Sequence, residues 1–241
     1  MLEAGRVVVT DVLAIVWSPR RIEESLASHE ALGFETAFIV GYTEHEGCER
    51  ANWIVKNHPA DIYLLSYDDQ VVTRAQADEV LELQAETGDV VSGWQQLGLN
   101  VPYGSAVRPT FSFDRTHLLA DECYYRVDEL EAWPDRLVPT LFFPYSLTAV
   151  PRQLLLDCPI WAMPSRVLGN GPWFWSKDGN PYDKGELSDW TLCHDLHQAG
   201  HRMWTARDAH VTHLSNEHNI PQYRFCNDID EPGIYWNRRP R

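Results

Sequence analysis

Ala60-Asp-Ile-Tyr-Leu-Leu-Ser-Tyr-Asp-Asp-Gln70 sets an apolar run of strand length, Ile62 to Tyr67, directly ahead of two carboxylates, Asp68 and Asp69. A short run bounded by polar turn residues predicts a buried strand. Upstream, Val12 to Trp17 reads as a first strand. Pro19 then opens a segment in which Ile22, Leu26 and His29 recur near helical spacing until Gly33. Thr36 to Val40 is a second strand, and a helix around Glu46 to Asn57 leads into the third. Downstream, Thr73 with Gln76 three residues on is a capping-box signature for a helix carrying Ala77, Val80, Leu81 and Gln84. Gly88 ends that helix before a strand at Asp89 to Gly93. Such alternation predicts an α/β fold: a mostly parallel sheet with helices on both faces and ligands collected at the carboxyl ends of its strands.

Beyond residue 97 the rhythm fades. Residues 98–136 predict a loop-rich excursion, and Val138 to Phe143 a return to the sheet. Residues 157–187, dense in Pro, Gly and Trp, suit an irregular active-site loop or a flexible linker. A helix from Ser188 to Ala199 stops at Gly200, and Met203 to Thr205 and His210 to Thr212 are strand-like. At roughly 150 residues per domain, 241 residues make one generous domain or two small ones, and the chain is read as a single domain, 1–241. No stretch approaches the ~18 to 20 apolar residues of a membrane span, and the amino terminus has no signal-peptide pattern, so a cytoplasmic, soluble protein is expected.

The charge sum, 20 − 35 = −15, argues against nonspecific nucleic-acid binding. It leaves nucleotides open, since local arginines or a divalent cation can hold phosphates on an acidic protein. Cys48, Cys123, Cys158, Cys193 and Cys226 are widely spread with no Cys-x-x-Cys pair, and they read as buried thiols.

Asp68 and Asp69, at the end of a central strand, are placed to meet a ligand, where oxygen ligands hold Mg²⁺ or Mn²⁺ against a diphosphate; the bland reading is a turn that caps the strand. Asp189, behind Ser188 as the expected N-cap, suits a general base beside a cleft or an acid that merely complements a helix dipole. His213 ends the last strand, where an imidazole can join carboxylates around a transition metal or serve structure. His194, His197 and His201 share roughly one helical face and raise a weaker zinc alternative. Arg20, Arg21, Arg50 and Asn52 lie where a nucleotide would sit, with surface salt bridging as the rival account. Trp173 and Trp175, in the loop that begins at Gly169, could stack an acceptor or pack the loop.

Together these elements resemble a family-two-like inverting glycosyltransferase of the GT-A fold. Three segments carry the resemblance: Val12 to Arg20; Arg50-Ala-Asn52 leading to Ala60 through Gln70; and Ser188-Asp-Trp-Thr-Leu-Cys-His-Asp-Leu-His-Gln-Ala-Gly200 continuing to His213. The resemblance implies a nucleotide-sugar-binding half, 1–97, and an acceptor-binding and catalytic half, 98–241. It implies that Trp17, Ser18, Arg20, Arg21, Arg50, Asn52, Asp68 and Asp69 hold a nucleoside-diphosphate sugar. Asp69 and His213 would take Mn²⁺ or Mg²⁺, Asp189 would deprotonate the acceptor hydroxyl, and Trp173, Trp175 and Trp190 would face the acceptor.

Two positions depart from the pattern. Gln70 stands where the family often has the last Asp, so either Asp69 takes the metal, the register shifts by one, or metal dependence weakens. Ser188 replaces the usual Glu before Asp189, removing a neighbour that could tune the base. The rival readings are a sugar-phosphate nucleotidyltransferase, for which the segment after the first strand supplies only a basic half-signature, and a non-catalytic nucleotide-sugar-binding module. The acceptor is open among a saccharide, a protein, a metabolite and a modified nucleic-acid base.

Overall fold

A computed structural model describes residues 11–18, 21–41, 43–98, 101–110, 123–162, 188–214 and 233–237. In chain order the elements are β1 (Val12–Trp17), α1 (Glu23–Ala31), β2 (Glu35–Val40), α2 (Glu44–Asn57), β3 (Ile62–Tyr67), β4 (Gln70–Val71), α3 (Arg74–Thr87) and β5 (Val90–Trp94). There follow β6 (Tyr103–Val107), β7 (Tyr124–Arg126), α4 (Val127–Glu131), β8 (Leu137–Pro139), β9 (Ser146–Pro151) and α5 (Arg152–Asp157). The last are α6 (Ser188–Gln198), β10 (Met203–His210), β11 (Thr212–His213) and β12 (Gly233–Asn237).

Eight strands form one sheet in the order β12-β2-β1-β3-β9-β5-β10-β8. Pairing is parallel for β1 with β2 and β3 and for β10 with β5. It is antiparallel for β12 with β2, β9 with both β3 and β5, and β8 with β10. The fold is therefore α/β, as expected, but its sheet is mixed rather than mostly parallel. The difference comes from the edge strands β12 and β8 and, at the centre of the sheet, from β9, which runs antiparallel into the gap between β3 and β5. Its sequence, Ser146-Leu-Thr-Ala-Val-Pro151, follows Pro144 and is covered on both faces, so it lacks the alternation that marks a half-exposed strand. Val138 to Phe143 supplies only the short edge strand β8.

Helices do cover both faces. Leu13, Ile15 and Trp17 of β1 and Tyr63 and Leu65 of β3 pack with Cys48, Ala51, Ile54 and Val55 of α2, Leu155 of α5, and Leu192, Cys193 and Leu196 of α6. The intervening Ala14, Ile62 and Leu64 join Leu32, Ala77, Val80 and Leu83 on the side of α1 and α3. Strand periodicity of two thus feeds two separate cores. Where 98–136 was expected to be loop-rich, its described residues include regular elements. β6 and β7 pair antiparallel, and with α4 they enclose a small core of Trp94, Ala106, Tyr125, Leu130 and Val138.

Local chemistry sets the helix ends. Thr43 accepts the Glu46 N–H at the start of α2, two residues earlier than the sequence suggested. Thr73 and Gln76 form the expected capping box, and Gly88 closes α3 in a left-handed conformation, φ 70°. Cys48, Cys123, Cys158 and Cys193 are free and buried; Cys226 lies outside the described residues. No helix among the described residues is long and apolar enough to cross a membrane.

α1 buries polar groups instead of an apolar stripe. His29 Nδ1 donates to the Ser25 carbonyl at 2.8 Å, and Nε2 lies 2.8 Å from Ser66 Oγ on β3. Burial pushes this imidazole down to about 4, against backbone and Asp69 influences that raise it. The fold therefore favours neutral His29, and its contribution to stability, full above pH ~6.5, is lost as pH falls through about 4. We expect the stability gap between the native chain and His29→Gln, read by denaturant melts, to narrow by roughly 3 kcal/mol from pH 7 to pH 4. A gap that stays constant would contradict this.

Candidate functional site

The carboxyl ends of β1, β2 and β3 lie side by side. The Ser18 N–H donates to the Ile39 carbonyl at 2.7 Å, and the Asp68 N–H donates to the Trp17 carbonyl at 2.9 Å. Asp68 is fully buried, and its Oδ2 accepts the Arg21 N–H at 2.7 Å. Arg21 itself sits at φ 50°, a left-handed conformation that this bond helps to hold, and its guanidinium lies 5.0 Å from the centre of the Tyr235 ring on β12. Asp68 thus ties Arg21 to the end of β3. Among the described residues, Ser18 Oγ and Trp17 Nε1 are buried without a hydrogen-bond partner, the indole nitrogen facing Gly47 of α2. A buried donor left unpaired costs ~1–3 kcal/mol, so such groups call for a partner beyond the described residues.

Asp69 begins a second layer. β4 pairs antiparallel with β11, with Gln70 opposite His213 and Val71 opposite Thr212. The Leu214 N–H donates to the Asp69 carbonyl at 2.7 Å, and His213 Nε2 lies 3.1 Å from Asp69 Oδ2. Gln70 turns inward: its side chain lies 2.7 Å from Ser66 Oγ and donates to Gln95 Oε1 at 3.0 Å, extending the polar chain that starts at His29. So Asp69, rather than Gln70, partners the imidazole. Among the described residues, no three His, Cys, Asp or Glu side chains gather as a metal site. Asp69 and His213 offer two ligands, a number compatible with a cation that takes its remaining oxygens from a phosphate and water.

Asp189, in the first turn of α6, is buried where that helix meets α2 and the end of β3. Its Oδ1 accepts the Trp190 N–H at 2.8 Å. Burial and the neighbouring Glu44 push its carboxyl up to about 7, against the pull of two backbone N–H groups. Glu44 is itself buried at the first turn of α2, and Ser188 Oγ donates a hydrogen bond to its Oε1. Burial raises Glu44, and Ser188 holds it partway down. The Tyr145 hydroxyl donates to the Ser188 carbonyl at 2.9 Å, while its ring stacks on Trp17 at 4.9 Å and on Tyr67 at 5.5 Å. Tyr67 is the residue before Asp68, and both Asp189 and Glu44 raise its hydroxyl further after burial has done so. Asp189 and the Asp68-Asp69 turn are thereby tied to one aromatic group, Trp17, Tyr67 and Tyr145.

A scan against protein-family models gives no match, and neither does a search of curated proteins. Among solved structures, the crystal structure of A197 from STIV is similar over 81% of this chain and 81% of that one, at 12% identity and a TM-score of 0.49. A likeness that slight carries no argument.

The remaining sequence candidates divide. Arg50 reaches the end of β2: a methyl group at Gly41 would fall 2.9 Å from its Nη1, and the same nitrogen donates to Glu46 Oε2 at 3.1 Å. Asn52 is not at the ligand side. Its carboxamide donates to the Ile160 carbonyl at 2.7 Å and accepts the Ile160 N–H at 2.9 Å, which pins the segment after α5. Trp190 packs on Phe142, ring centres 4.8 Å apart, and remains partly exposed. Arg20, Trp173 and Trp175 lie outside the described residues. His194 Nδ1 is 2.9 Å from Asp195 Oδ1, and with His197 and His201 it forms no ligand group among the described residues, so the zinc alternative has no support. A hollow lined by Asp11, Asp61 and Arg152 opens at the amino-terminal ends of β1 and β3, away from all these groups.

Sequence reasoning missed Glu44, Tyr67 and Tyr145. The signal for Glu44 was present in Thr43, whose side chain caps α2 and so makes Glu44 its first residue. An acid there reads as ordinary dipole complement, and only tertiary packing sets it against Ser188.

Proposed function

We propose that the chain is an inverting glycosyltransferase of the GT-A type, acting on a nucleoside-diphosphate sugar and an acceptor hydroxyl. What supports this reading is a buried carboxyl poised near neutrality, Asp189, linked through Ser188, Tyr145 and Tyr67 to the end of β3, where Asp68 holds Arg21 and Asp69 meets His213. A carboxyl matched to the working pH is what a general base requires. As the acceptor oxygen bonds to the anomeric carbon, its proton passes to Asp189. The bond from that carbon to the diphosphate oxygen breaks, and its electron pair leaves with the nucleoside diphosphate on the opposite face. Asp68 holds Arg21 beside the end of β1, and the buried Ser18 hydroxyl, which has no partner among the described residues, offers a hydrogen bond to the donor. A divalent cation, where bound, would be held by Asp69 and His213 and would offset charge on the leaving diphosphate.

Calorimetry with nucleotide sugars, with and without Mn²⁺, tests this reading. We expect a donor to bind the native chain and Asp69→Ala to weaken it by about tenfold, a loss of one charge-assisted contact, with the larger loss when Mn²⁺ is present. Absence of binding for every nucleotide sugar, or identical affinity in Asp69→Ala, would overturn it.

A further inference from the structure

We propose that Glu44 is a positioning residue for Asp189: lodged in the first turn of α2 and anchored by the Ser188 hydroxyl, its negative charge holds the last proton of the pair on the Asp189 carboxyl. This inference rests on the reading of Asp189 as the base. It begins from geometry. Glu44 and Asp189 stand in the first turns of two helices that meet over the end of β3, and Ser188 joins them, donating its hydroxyl to Glu44 while its own carbonyl accepts from Tyr145. Both carboxyl groups are buried.

Two carboxylates at close range inside a protein do not ionise independently; the first charge raises the cost of the second. The Ser188 donor favours the charged form of Glu44. The repulsion from Glu44 then acts on Asp189, whose stabilising donors are two backbone N–H groups. Glu44 therefore ionises first, and Asp189 keeps its proton towards neutrality. Among the described residues, the other titratable groups facing the pair are Cys48 on α2, Tyr67 at the end of β3, Tyr124 on β7, Tyr145 ahead of β9 and Cys193 on α6. None of these is cationic, and burial raises each of them, so all stay neutral while the carboxyl pair titrates. Ser188, which at first sight deprives Asp189 of an acidic neighbour in the chain, instead recruits one from 144 residues away.

The test is a carbon-13 NMR titration of aspartate side-chain carboxyls in the full chain, with the Asp189 signal identified by its loss in Asp189→Asn. In the native chain the midpoint is expected near neutrality. Glu44→Gln keeps the shape and hydrogen bonding of the side chain but removes its charge, and should lower that midpoint by about one unit or more. Glu44→Asp retains the charge and should restore a raised midpoint. Ser188→Ala withdraws the donor that favours the Glu44 anion, and should move the midpoint down by a smaller step, which keeps the idea testable if Glu44→Gln folds poorly. An Asp189 midpoint unmoved in Glu44→Gln, or in Ser188→Ala where only that variant folds, overturns the role of Glu44. The titration uses no substrate, so it is separable from the activity. A native chain that turns over no nucleotide sugar overturns the glycosyl-transfer reading, whatever the midpoint does. In an active chain the acidic limb of kcat/KM should follow the NMR midpoint to lower pH in Glu44→Gln.

Discussion

Asp189→Asn should abolish sugar transfer while leaving donor affinity close to native, and at the same time make the protein more stable above neutral pH. The first half follows from the role of a general base, whose removal costs roughly 10²- to 10⁴-fold in turnover without touching donor contacts made by other residues. The second half follows from linkage. The Asp189 carboxyl sits at about 7 in the folded chain against 3.8 as its ordinary value. A raised carboxyl favours the folded state while protonated, so its contribution is full below pH ~4 and is lost as pH rises through about 7. The difference, 7 − 3.8 ≈ 3 units at ~1.4 kcal/mol each, makes at most ~4 kcal/mol that the native chain forfeits at alkaline pH and the amide does not. Melts of both proteins at pH 5 and pH 8.5, alongside turnover and donor calorimetry, read all three effects. An Asn variant that still turns over removes Asp189 as base. One that loses stability in parallel with the native chain contradicts the burial of a charge at that position.

Gly93→Ala should cost at least ~3 kcal/mol of folding stability, with an accompanying fall in soluble yield. Gly93 lies in β5 between β9 and β10, and a methyl group there would sit 2.6 Å from the Ser146 carbonyl oxygen and 2.8 Å from that of Ala209. Both obstacles are backbone, so no side chain can swing aside. Relief would require parting the central strands. Gly88→Ala is the contrast: a methyl group there meets nothing within 4 Å, but the residue is at φ 70°, so the expected penalty is only the ~1 kcal/mol of left-handed strain. Urea melts of the two variants separate these causes. A Gly93→Ala midpoint near native would mean that β9 and β10 stand further from β5 than described.

Local chemistry made much of the first half legible. β1, β3, the Thr73-Gln76 capping box and the Gly88 stop are each determined by a few neighbouring residues, and each lies where the sequence places it. The mixed pairing was not legible, because a strand buried on both faces carries no period and its direction depends on partners far along the chain. The same distinction runs through the site. The position of Asp68 and Asp69 after β3 can be read from the strand itself. The link from His213 to Asp69 needs the β4–β11 pairing, two residues long and without local signature. The link from Glu44 to Ser188 needs two helices packed on one face of the sheet. Asn52 misled because its neighbourhood in sequence, between Arg50 and the third strand, says nothing of its bonds to Ile160.

The insertion of β9 has a consequence for synthesis. β3 is complete at residue 67 and β5 at residue 94, yet no hydrogen bond joins them directly; residues 146–151 must arrive first. At ~5–20 residues per second a ribosome takes several seconds to cover that interval. Through it the nascent chain presents two apolar strands with open edges, the kind of surface that recruits chaperones and misassociates when it is not shielded. Fragments that stop short of Pro151 are born with that gap permanently unfilled.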